Sequence, residues 1–67
     1  MVKFLMSVTC EGDFKFEEGK CYEYVENSDN EANKQFIFVK QPNSPKDKNW
    51  YCKVARIHEG KIFEFVD

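Results

Sequence analysis

A chain of 67 residues with seven Phe, three Tyr and one Trp is long enough for one domain, spanning residues 1–67. It hides only about 60% of the surface that it exposes unfolded, so its core depends on aromatic rings that each bury roughly 150–250 Å²; hollowing out a deep catalytic cavity would compete for the same side chains, and an enzyme is not expected. The net charge of −2 excludes a general polyanion binder, because phosphate-dominated affinity needs a dense basic face.

The charge is unevenly distributed. Through residue 33 eight acids stand against three lysines, and beyond it seven bases stand against four acids. Two ordinarily solvated surfaces explain this; a bipolar interface that steers a partner is the sharper reading.

Over residues 2–9, Val2, Phe4, Met6 and Val8 alternate with Lys3, Leu5, Ser7 and Thr9, the pattern of a half-buried strand. The same start is too short in its apolar run, and lacks a small-residue cleavage site, for a signal peptide. No stretch approaches about 18 consecutive apolar residues, so no transmembrane span is expected. Cys10-Glu11-Gly12-Asp13 supplies turn chemistry. Phe14 and Phe16, then Glu17-Glu18-Gly19-Lys20, then Tyr22 and Tyr24 predict a hairpin whose aromatic pairs meet across one sheet.

Residues 26–33 are polar and predict a mobile loop. Phe36-Ile37-Phe38-Val39 is apolar on both faces, as in a central strand covered on each side or one meeting a loop or partner. Pro42 and Pro45 end that strand, and residues 41–49 form a loop. Residues 50–57 resume the alternation, with Trp50, Cys52 and Val54 on one face and Tyr51, Lys53, Ala55 and Ile57 on the other. His58-Glu59-Gly60-Lys61 signals a tight hairpin leading into a last strand over residues 62–66. No helical period of useful length occurs.

Five short strands in so few residues leave an SH3-like barrel, an OB-like barrel or a plain meander. Phe14-Lys15-Phe16-Glu17-Glu18-Gly19-Lys20 with Tyr22 and Tyr24 resembles the SH3 pattern of core aromatic, charged turn, glycine and alternating core residues. Trp50-Tyr51 with Val54-Ala55-Arg56, and Gly60-Lys61-Ile62 with Phe65-Val66, are similar to that family's later strands. The resemblance, to the small SH3-like β-barrel proteins of bacteria and phages, spans roughly residues 14–66 and rests on common residue types. It implies an all-β fold, a small five-stranded antiparallel SH3-like barrel. The family's tyrosine motif has no counterpart in residues 7–13, and Phe63 stands where its ligand-groove proline would be, so Pro-rich peptides are not the implied ligands.

Cys10, Cys21 and Cys52 are odd in number and show no C-x-x-C spacing, which predicts reduced thiols and a cytoplasmic setting. Small buried hydrophobes are their ordinary role. Cys10 and Cys21 flank the first hairpin and form the candidate disulfide. With His58 the three cysteines have the right ligand types for zinc but lack its close spacing, so no metal or cofactor is expected. A Cys52/His58 nucleophilic pair on one strand would be roughly 20 Å apart, and Glu17 and Glu18 on an open turn have no pocket to shift them toward acid–base work.

The expected function is therefore non-enzymatic protein binding through Glu11, Asp13, Glu17, Glu18, Trp50 and Tyr51, aromatic anchors supplying area and charges supplying specificity. Nine Lys against one Arg, with abundant Asn and Phe, suggest A/T-rich coding and a phage- or mobile-element-encoded inhibitor of a host protein as its most concrete form. The competing expectation is single-stranded nucleic-acid binding, with Lys40, Lys46, Lys48, Lys53 and Arg56 near Phe36, Phe38, Trp50 and Tyr51. The cold-shock signatures are absent. A monomer, or a homodimer paired through edge strands, is expected.

Overall fold

The computed structural model describes residues 1–10, 14–26 and 31–66. It is all-β, with three small antiparallel sheets and two 3-10 turns at Glu31–Gln35 and Arg56–His58. In the first sheet β1 (Val2–Phe4) lies between β4 (Cys21–Tyr22) and β8 (Phe63–Phe65). In the second, β2 (Val8–Thr9) pairs with β3 (Lys15–Phe16). The third has β6 (Phe36–Lys40) between β5 (Tyr24–Val25) and β7 (Tyr51–Ala55). Among the described residues no strand pairing closes the three sheets into one barrel.

The eight short strands come from six stretches of sequence, one more than the five strands expected, two of them broken by bends. Val2 and Phe4 are fully buried as the alternation requires, but the chain bends at Leu5 and Met6, and Met6 is exposed. Leu5 is the last residue tied to the first sheet, its N–H donating to the Ile62 carbonyl at 2.7 Å. The residues beyond leave for a different sheet. Likewise β4 and β5 form one extended segment divided at Glu23, feeding the first sheet and then the third.

The expected hairpin of Phe14 and Phe16 against Tyr22 and Tyr24 does not form as a strand pair. β3 pairs with β2, and β4 pairs with β1. The tight turn is present: the Lys20 N–H donates to the Glu17 carbonyl at 3.2 Å, and Gly19 takes φ 83°, a conformation glycine adopts without steric cost. The aromatics meet between sheets instead. Phe4 and Phe16 stack at 4.8 Å, and Tyr22 stands edge-on to Phe16 at 4.8 Å and to Phe4 at 5.6 Å. The Glu17 N–H donates to the Tyr22 hydroxyl at 2.9 Å, which gives this ring's polar end a partner inside the core. A second aromatic set, Tyr24, Phe63 and Phe65, links the third sheet to the first.

β6 takes the central position expected of residues 36–39, with Ile37 and Val39 fully buried and Phe36 and Phe38 half-buried. The turn after β7 is not a hairpin. β8 pairs with β1, far away in sequence, and Gly60 takes φ 88° between the Arg56–His58 turn and β8. Ile57 lies on that 3-10 turn, 83% exposed.

Two expectations about cysteine are corrected. Cys10 is bonded to Cys52, not to Cys21, with Cα atoms 6.0 Å apart, inside the span a disulfide bridges without backbone movement. Cys21 is a free, exposed thiol. Position explains the choice: Cys21 lies on β4 with its side chain outward, whereas Cys52 points from β7 into the core. The cytoplasmic expectation thus loses two of the three reduced thiols it rested on. Among the described residues no helix is long and apolar enough to cross a membrane.

Candidate binding groove

Open space of about 1080 Å³ lies between the end of β2 and strand β7. One wall is Val8, Thr9 and Cys10, and the other is the run from Asn49 to Ala55. Phe36, Gln41, His58 and Ile62 also line it. The Cys10–Cys52 disulfide joins the two walls covalently.

The loop before β7 is organised by Ser44. Its hydroxyl donates to the Gln41 carbonyl at 2.6 Å and accepts from the Trp50 N–H at 3.0 Å, while the Gln41 N–H donates to the Trp50 carbonyl at 2.8 Å. Gln41 is 5% exposed, and its side-chain amide approaches the Cys10 sulfur at 4.0 Å. These bonds hold the backbone of Trp50 while leaving its ring in the groove, 46% exposed. Tyr51 lines the groove too, and also a smaller recess of about 340 Å³ that it shares with Tyr24, Val25 and the Glu23–Lys40 ion pair.

Of the expected protein-binding residues, Trp50 and Tyr51 are thus brought together. Glu17 and Glu18 are exposed on the turn after β3 and line neither space. Glu17 pairs with Lys20, which holds its carboxyl below the usual range by hydrogen bonding and then by charge, and Lys20 is correspondingly raised. Glu11 and Asp13 lie outside the described residues.

The basic set divides. Register and alternation put Lys40 and Lys53 on the outer face of the third sheet with Phe36, Phe38 and Tyr51. Lys53 Nζ sits 4.1 Å from the centroid of the Phe36 ring. Lys40 faces Glu23, and Arg56 pairs with Glu26 at 2.8 Å while its Nε donates to the Lys34 carbonyl. Lys46 and Lys48 are exposed on the loop, with no ion pair among the described residues. Acids from the first half of the chain therefore offset two of the five bases.

Sequence reasoning missed the β2 wall, the Ser44 bracket and the disulfide. Each depends on contacts between distant segments, and only the serine, two residues after Pro42 in a turn-rich stretch, carried a local signal. Among the described residues no group of three or more His, Cys, Asp or Glu could hold a metal ion. No family model, curated protein or solved structure matches this chain.

Proposed function

We propose that this is an SH3-like barrel protein that binds another protein without catalysing a reaction, using the groove between β2 and β7. The architecture supports the barrel reading in outline: one extended segment, β4 and β5, feeds two three-stranded sheets, β2 and β3 form an excursion between β1 and β4, and a 3-10 turn precedes the last strand. The observation that carries the binding reading is the pair Trp50 and Tyr51, 46% and 38% exposed at one groove. Large rings held open to water by a fixed backbone give a partner buried area at little entropic cost. A phage- or mobile-element-encoded inhibitor of a host protein is the most concrete form, supported by residue usage alone.

Single-stranded nucleic acid is the second reading, favoured by Phe36, Phe38 and Tyr51 sharing an outer face with Lys40 and Lys53. Stacking rings beside cations is how such strands are held. The ion pairs of Lys40 and Arg56 with Glu23 and Glu26 weigh against it.

The deciding experiment is capture from a bacterial lysate by the tagged full chain, with and without nuclease, identifying both protein and nucleic acid. A discrete protein that survives nuclease and is lost with Trp50→Ala and Tyr51→Ala supports the proposal. Nucleic acid alone, lost on simultaneous substitution of Lys46, Lys48 and Lys53, replaces it. Thiol trapping in intact cells decides the setting: a cytoplasmic protein in a reducing cell is expected to show Cys10 and Cys52 alkylated.

A further inference from the structure

We propose that the partner engages the groove as an extended peptide carrying acidic side chains, adding a strand to the free edge of β7. This rests on the protein-binding reading and specifies its geometry. Every residue from Asn49 to Ala55 lines the groove. A groove lying over one face of a strand would touch alternate residues, so this one runs along the edge.

Among the described residues nothing uses the main-chain groups at that edge. The Gln41 N–H bonds the Trp50 carbonyl, and Val39 pairs with Cys52 and Ile37 with Val54. In an antiparallel ladder alternate residues exchange both bonds with their partner. Trp50, Cys52 and Val54 therefore turn their main-chain groups toward β6, and Tyr51, Lys53 and Ala55 turn theirs outward. β7 is the last strand of its sheet, and no described residue pairs with those outward groups. An added strand would satisfy them.

Charge selects the occupant. Among the described residues the groove is lined by Lys53 and His58 and by no carboxylate, and an acidic side chain opposite Lys53 complements it. A second copy fits poorly: two-fold antiparallel pairing of β7 centred on its middle residue sets Lys53 opposite the Lys53 of the copy. Like charges directly opposite destabilise a strand pair, and edge lysines are a common protection against such self-pairing.

The test uses amide hydrogen exchange of the full oxidised chain with two short blocked peptides, one alternating valine and glutamate, the other valine and lysine. The expected result is that the glutamate peptide slows exchange at Tyr51, Lys53 and Ala55 and binds more tightly than the lysine peptide. Lys53→Glu should weaken the glutamate peptide about tenfold, as an attractive cross-strand pair becomes repulsive, and should reverse the preference. Lys53→Pro should abolish protection; its missing N–H is an outward one, so the bonds to β6 survive, and Lys53→Glu serves if the proline variant does not fold.

Absence of protection at these three amides with either peptide would overturn the proposal. So would concentration-dependent protection without peptide, which would make a second copy the occupant. If lysate capture finds a nuclease-resistant protein that both Lys53 variants retain and Trp50→Ala loses, the edge mode fails while the protein-binding reading stands. If capture finds no protein yet the peptide result holds, the edge mode stands and that reading fails.

Discussion

Reducing the Cys10–Cys52 bond releases a covalent link between residues separated by 42 positions. In the chain-entropy description a closed loop of about that length stabilises the native state by roughly 4 kcal/mol, by restricting the unfolded chain. A 67-residue domain has on the order of 3–10 kcal/mol in total, so this one bond is comparable to the whole margin. Urea denaturation of the oxidised protein and of the Cys10→Ser/Cys52→Ser double variant, monitored by the fluorescence of the single tryptophan, measures the effect. The midpoint should fall steeply and the melting temperature should drop by on the order of 20 °C. The double variant should behave like wild type under reductant. Mass spectrometry after alkylation of the unfolded chain supplies the control, with one free thiol, Cys21, before reduction and all three after it. Three reactive thiols in protein purified without reductant, or superimposable denaturation curves, would refute the assignment.

Further outcomes concern the core, the loop and the acidic turn. Phe16→Ala removes a fully buried ring stacked on Phe4 and edge-on to Tyr22 and should cost roughly 3–5 kcal/mol; retention of a cooperative transition with less than about 1 kcal/mol lost would mean the core is packed differently. Ser44→Ala deletes the acceptor of the Trp50 N–H and the donor to the Gln41 carbonyl. It should cost about 1 kcal/mol and accelerate exchange of the Trp50 amide, and unchanged exchange would remove Ser44 from the account of how Trp50 is held. Lys20→Ala should raise the titration midpoint of Glu17, followed by NMR, toward its ordinary value of 4.5. The sign follows from the two shifts. Glu17, depressed when folded, stabilises above its unfolded midpoint and loses this as pH falls through the folded one, whereas Lys20, raised when folded, stabilises below 10.5 and loses this as pH rises through its folded value. A Glu17 midpoint unmoved by the substitution would show the pair to be unformed in solution.

The all-β class, the central position of residues 36–39 in their sheet and the Gly19 turn were legible because alternation and turn chemistry are local properties. Pairing was not. Phe14, Phe16, Tyr22 and Tyr24 announce an aromatic cluster, and Phe14, Phe16 and Tyr22 make one. A period of two fixes which side chains share a face but leaves open which strand lies alongside, so contact between sheets was read as pairing within one. The Met6 error has the same origin: alternation continues through residue 8, while the hydrogen bonds that hold β1 end at Leu5. Cysteine pairing lies further out of reach, since it depends on where two strands of different sheets converge.

Residues 51–55 carry the same limit into the candidate site. Their alternation assigns Cys52 and Val54 to the core and Tyr51 and Lys53 to solvent, and the structure agrees. A lysine at the middle of an outward face is ordinary on an interior strand, where it only keeps that face wet. On an edge strand it also discourages unwanted pairing. Which meaning applies depends on whether another strand lies beyond β7, and so on the whole strand order. Because β7 is terminal among the described strands of its sheet, Lys53 stands beside main-chain groups that no described residue pairs, and the charge that repels a second copy is the one that would attract an acidic strand.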